Sequence, residues 1–141
     1  VITCTLPDSA WALQSHGPPE GLYVHQMAHI LFMAALGYLF WHTRSTQDLA
    51  HPGWKYLQLF CLLMICWNVL AFTGHQVLEM LGPQDLLDKN SWTERLSQPI
   101  NFIKGLYFIT KMDHFLIVPA LGALVLSLRS FYHEARRGEG R

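Results

Sequence analysis

The chain has 141 residues, 51% of them hydrophobic and only 14% charged, and its 10 basic and 10 acidic side chains cancel. That balance offers no basic surface, so nucleic acid is set aside as a partner. The few charges are also nearly absent from three long apolar runs, which makes the chain a small integral membrane protein whose first partner is the lipid bilayer.

In chain order, residues 1–20 read as an external N-terminal arm or as the remnant of a signal peptide, since Ala10-Trp11-Ala12 has the small-x-small pattern of a processing site. Pro18-Pro19 and Gly21 precede the first apolar run, 21–41, which predicts a span over about 21–42. Pro52-Gly53 opens the second, 54–72, with a span over about 53–80 that Gly82-Pro83 ends. Ser91-Trp92-Thr93-Glu94 then offers a capping box ahead of Leu96, which predicts a short interfacial helix with Trp92 at headgroup level and Pro99 as its end. The third run, 107–128, gives a span over about 101–131, followed by a basic tail, 133–141. Each run approaches the ~20 residues that cross a ~30 Å hydrocarbon layer. The expected fold is therefore all-α: a three-transmembrane-helix bundle over 21–132 with one short interfacial helix between spans 2 and 3.

Orientation follows from Lys and Arg beside the spans. Arg44 and Lys55 flank the first connection, and Arg129, Arg136, Arg137 and Arg141 follow the third run, so both segments are expected on the cytoplasmic side of a bacterial inner membrane, with the N-terminus outside. Cys4, Cys61 and Cys66 form no CxxC pair and read as small packing residues. Gly37, Gly74, Gly105 and Gly122 are expected to permit close helix approach or to loosen helix ends. His16, His42, His51 and His133 lie outside the spans and receive no role.

Four histidines gather toward the outer ends of the runs: His25, His29, His75 and His114. Counting the ~1.5 Å rise per residue, His25 lies about 6 Å and His29 about 12 Å below the outer boundary, His114 about 10 to 15 Å below it, and His75 near the surface. Matched by depth, His29 pairs with His114 and His25 with His75. His25 and His29, four apart, share one helix face. Cys61, Asn68 and His75 recur every seven residues and form a polar-tinted stripe expected to face protein rather than lipid. Tyr107, Lys111 and His114 share a face of the third helix, with Asp113 beside it.

Imidazoles from different helices at one depth are what a haem b requires, one on each side of a flat macrocycle inside apolar walls. His29 and His114 could be the ligands, or alternatively His25 and His75. Phe32, Met33, Phe72, Phe108 and Phe115 could form the walls, and Lys111, Lys104 or Arg95 could meet the propionates. One haem is the expected count, because ligands one turn apart would place two irons only about 6 Å apart along the axis. Asp113, Tyr107 and a non-ligand histidine could take protons from a quinol. The competing chemistry is a Zn or Cu ion on His25 and His29 with His75 or His114, with Met27, Met33 or Met112 available to a soft copper site. The same histidines would suit a membrane sensor segment, and a third class is a structural or assembly subunit of a membrane complex with no cofactor.

In having three spans with His25/His29, His75 and His114 toward one leaflet, the chain resembles the small cytochrome-b-type membrane anchor subunits of respiratory oxidoreductases, such as those of succinate dehydrogenase. The resemblance covers 21–128 in outline. It implies haem b ligation and a non-catalytic electron-transfer role, with electrons passing between a partner redox subunit of a membrane complex and the quinone pool. The chain departs from that pattern in carrying more outer-side histidines than one bis-histidine haem uses.

Overall fold

The structure, a computed structural model, describes residues 20–45, 51–88 and 93–139. The N-terminal arm with Ala10-Trp11-Ala12, and Ser91 and Trp92 of the expected capping box, lie outside the described residues. Two long helices come first, α1 (Glu20–Ser45) and α2 (Pro52–Met80). A 3-10 turn over Pro83–Asp85 leads into a two-residue hairpin, β1 (Leu86–Leu87) with β2 (Arg95–Leu96). Two further helices, α3 (Phe102–Thr110) and α4 (His114–Glu139), follow. Three segments are long and apolar enough to cross a membrane: Gly21–Ser45, Pro52–Met80 and the combined Phe102–Gly138. The protein is a multi-pass membrane protein, and α2 is its central helix, packed against α1, α3 and, most extensively, α4.

Polarity is distributed as lipid demands. Val118, Phe115 and Leu31 lie on the exterior, whereas the fully buried side chains with the largest volumes are Asn68, Cys61 and Ser127. Without a hydrophobic force between helices in lipid, small and hydrogen-bonding groups hold the interfaces. Ser127 Oγ accordingly donates to the Gly53 carbonyl at 2.9 Å and ties the start of α2 to α4. Pro52 pre-sets φ for the first turn of α2, and His51, which the sequence left without a role, caps that turn: its Nδ1 accepts from the Gly53 N–H at 3.2 Å. The same imidazole stacks on Phe131 and reaches Glu134 at 3.0 Å. Gly53 is required by this contact, because a Cβ there would lie 2.9 Å from the Phe131 ring. Of the four glycines expected at close approaches, Gly74 meets α3, its would-be Cβ lying 3.0 Å from Thr110 Oγ1. Gly37, Gly105 and Gly122 face open space.

Between α2 and α3 the chain departs from the expected interfacial helix. Arg95 and Leu96 pair antiparallel with Leu87 and Leu86. Leu86 is buried with Val77 and Tyr107 in the small apolar core at this end of the bundle. Glu94, expected to close a capping box, instead accepts from the Tyr107 hydroxyl at 3.0 Å. The organising group is Lys104, buried on α3. Its ammonium donates to Ser97 O and Ser97 Oγ at 2.9 Å each and to Pro99 O at 3.3 Å, and pairs with Asp85 at 3.0 Å. Those acceptors sit at the two sides of the hairpin, so one cation holds the loop in extended form. Lys104, one of the cations that could meet the propionates, is thereby engaged by Asp85, Ser97 and Pro99. The Lys104 hydrogen bond, with a second from the Gly82 N–H, holds the Asp85 carboxyl below the usual carboxylate range.

The third span is broken rather than continuous. After Thr110 the backbone tightens into i→i−3 bonds, Met112 N to Ile109 O at 3.0 Å and Asp113 N to Thr110 O at 3.3 Å. A new helix then starts where Asp113 Oδ1 accepts from the His114 N–H at 2.8 Å, a favourable place for a carboxylate beside the positive helix end. Pro119, early in α4, has no N–H to give the Phe115 carbonyl, so the first turn of α4 lacks one backbone hydrogen bond. At its other end α4 runs through the expected tail, with Arg136 and Arg137 in its last turn, where cations complement the negative helix end.

Candidate metal centre

The i, i+4 spacing of α1 sets His25 and His29 one above the other, and the seven-residue spacing of α2 sets Asn68 and His75 on one face two turns apart. Where these faces meet, His25 Nε2 lies 3.0 Å from His75 Nε2 and 3.2 Å from His29 Nε2. A ligand nitrogen from each of the three imidazoles falls within 4.8 Å of the others. His25 stands edge-on to both neighbours, at 88° to His29 and 87° to His75, so the nitrogens converge rather than the ring faces.

Hydrogen bonding fixes the tautomer of His29. Asn68, with no exposed surface, donates from Nδ2 to the Met64 carbonyl at 2.7 Å, which leaves its Oδ1 toward His29 Nδ1 at 2.8 Å. An amide oxygen only accepts, so His29 carries its hydrogen on Nδ1 and presents a lone pair at Nε2. His25 Nε2 then faces that lone pair on one side and His75 Nε2 on the other. A single N–H on His25 Nε2 cannot serve both contacts, because donating to His29 leaves nothing to accept from His75. A cation among the three nitrogens resolves the conflict. Tetrahedral bonds of about 2.0–2.1 Å put ligand nitrogens about 3.3 Å apart, close to the 3.0 Å and 3.2 Å that separate His25 Nε2 from its two neighbours. The Asn68 contact is also the outer-shell partner that metal-bound histidine ordinarily has.

The imidazoles line a cavity of about 330 Å³ that extends to Trp67, Tyr107, Lys111, Asp113 and His114. His114 therefore borders the same cavity as His29 without joining the cluster. Its side chain is 81% exposed and its Nδ1 lies 2.6 Å from Asp113 Oδ1. Tyr107 gives its hydroxyl proton to Glu94, and the Lys111 ammonium sits 5.0 Å from the centre of the Tyr107 ring. Phe108 and Phe115, expected as cofactor walls, lie on the exterior, as do Met27 and Met112. No methionine borders the cavity among the described residues. The Trp67 indole, 5.9 Å from His29 between ring centres, has a buried Nε1 with no partner. Sequence reasoning passed over Trp67; its place immediately before Asn68 on the polar stripe was the available signal. No protein-family model, curated protein or solved structure matches the chain.

Proposed function

We propose that the protein is a membrane-embedded metal-binding protein whose ion is held by His25, His29 and His75. The observation that carries this reading is the convergence of three imidazole nitrogens, one of them fixed as a lone-pair donor by buried Asn68. An all-nitrogen donor set suits Zn²⁺ or copper, and such an ion would supply Lewis acidity or, for copper, one-electron chemistry. Basic residues support the orientation expected from the sequence: Arg44 closes α1, and Arg136 and Arg137 close α4, so positive charge at the cytoplasmic side of an inner membrane puts the histidines near the outer face.

A haem b is the second reading, because His29 and His114 border one cavity from different helices. With it go the quinone and the partner redox subunit. For that reading Tyr107 and Asp113 would first have to release Glu94 and His114. Elemental analysis together with a pyridine haemochrome assay on the detergent-purified chain separates the two. One Zn or Cu per chain, lost in His29→Ala and His75→Ala but kept in His114→Ala, supports the metal centre. Stoichiometric haem lost in His114→Ala, with no other metal, rejects it.

A further inference from the structure

The histidine cluster supplies three ligands, and among the described residues no fourth histidine, cysteine or carboxylate joins it. Structural zinc sites close with four protein ligands, whereas sites with three keep a position for an exogenous one. Here the cavity beside the imidazoles leads to the break between α3 and α4. The groups bordering it are weighted toward positive charge and hydrogen-bond donation. Among the described residues no carboxylate pairs with Lys111, whose ammonium rests against the Tyr107 ring. The Trp67 indole N–H is buried without an acceptor. The one carboxylate bordering the cavity, Asp113, is engaged through Oδ1 by both the backbone N–H and the imidazole of His114. A divalent ion on three neutral imidazoles adds further positive charge.

Building on the metal-centre reading, we infer that the fourth position takes a small exogenous monoanion, with Lys111 as its counter-ion. The broken third span is what makes this possible, since it sets a lysine and an acid–base pair at membrane depth beside the metal instead of continuing an apolar helix. The bound anion neutralises part of the site's charge, which favours it over a neutral ligand of the same size.

The test uses the full chain in detergent, loaded with Co²⁺ and titrated with azide while the visible ligand-field bands are followed. A saturable band shift is expected. Lys111→Gln should weaken azide binding about tenfold or more, with Co²⁺ affinity unchanged. Lys111→Arg, which keeps the charge, should stay near wild type and guards against a folding artefact. Bound Co²⁺ whose spectrum ignores azide, or azide affinity equal in wild type and Lys111→Gln, overturns the anion proposal and leaves the metal centre standing. Failure of the wild-type chain to take up Co²⁺ overturns both.

Discussion

Replacing Asn68 with leucine keeps the branched shape, at a larger volume, but removes the acceptor that holds His29 in place. The contact is short, 2.8 Å, and both partners are buried. Left without it, His29 has two options. Keeping the hydrogen on Nδ1 leaves a buried donor unsatisfied, at roughly 1–3 kcal/mol. Moving it to Nε2 blocks the nitrogen that faces His25. Either way the metal-ready form becomes less favourable by about that amount, and since 1.4 kcal/mol is tenfold, metal affinity should fall about 10- to 100-fold. Competition against a chromophoric chelator measures this directly. Asn68→Asp supplies the control, because a carboxylate still accepts from Nδ1 although it loses the bond to the Met64 carbonyl, and its affinity should lie above that of Asn68→Leu. Equal affinities in wild type and Asn68→Leu, with helix content preserved, would refute the link between Asn68 and the site.

Three further outcomes follow from the packing. Because Asp85 titrates below the usual carboxylate range in the folded protein, its contribution is fully present above that range and is lost as pH falls through the depressed value; protease resistance of the 81–100 segment should fall on acidification, and Asp85→Asn should remove that dependence. Gly53→Ala pushes a methyl group against Phe131 and should destabilise the α2–α4 contact by about 1–3 kcal/mol, with Phe131→Leu restoring part of the loss; thermal unfolding in detergent reads both. Ser127→Ala removes one buried hydrogen bond to Gly53 O and should cost about 1 kcal/mol in the same assay.

The spans were legible because length and apolarity are local properties, and so was the pairing of side chains within one helix. His25 with His29, and Asn68 with His75, follow from helical periodicity alone. Which faces meet is a different kind of information. Counting depth matched His29 to His114, yet α1 packs chiefly on α2, and α4 packs on another part of α2; neighbourhood in the bundle therefore gives His29 the company of His75. Depth counting also assumed an unbroken third helix. The turn at 111–113 violates that assumption and hands His114 to its sequence neighbour Asp113. The hairpin was hidden for a similar reason: two-residue strands leave no periodic trace, and what holds them is Lys104 reaching acceptors on both sides of the connection. His51 caps α2 with its ring stacked on Phe131 of α4, a contact from 80 residues away that no local pattern gives.

The claim that three histidines converge on one ion is most directly tested by X-ray absorption at the metal edge of the metal-loaded chain, in wild type and in His75→Ala. The arrangement predicts three imidazole nitrogens at about 2.0–2.1 Å in wild type and two in the variant. A sulfur shell at about 2.3 Å, or a nitrogen count that His75→Ala leaves unchanged, would contradict it.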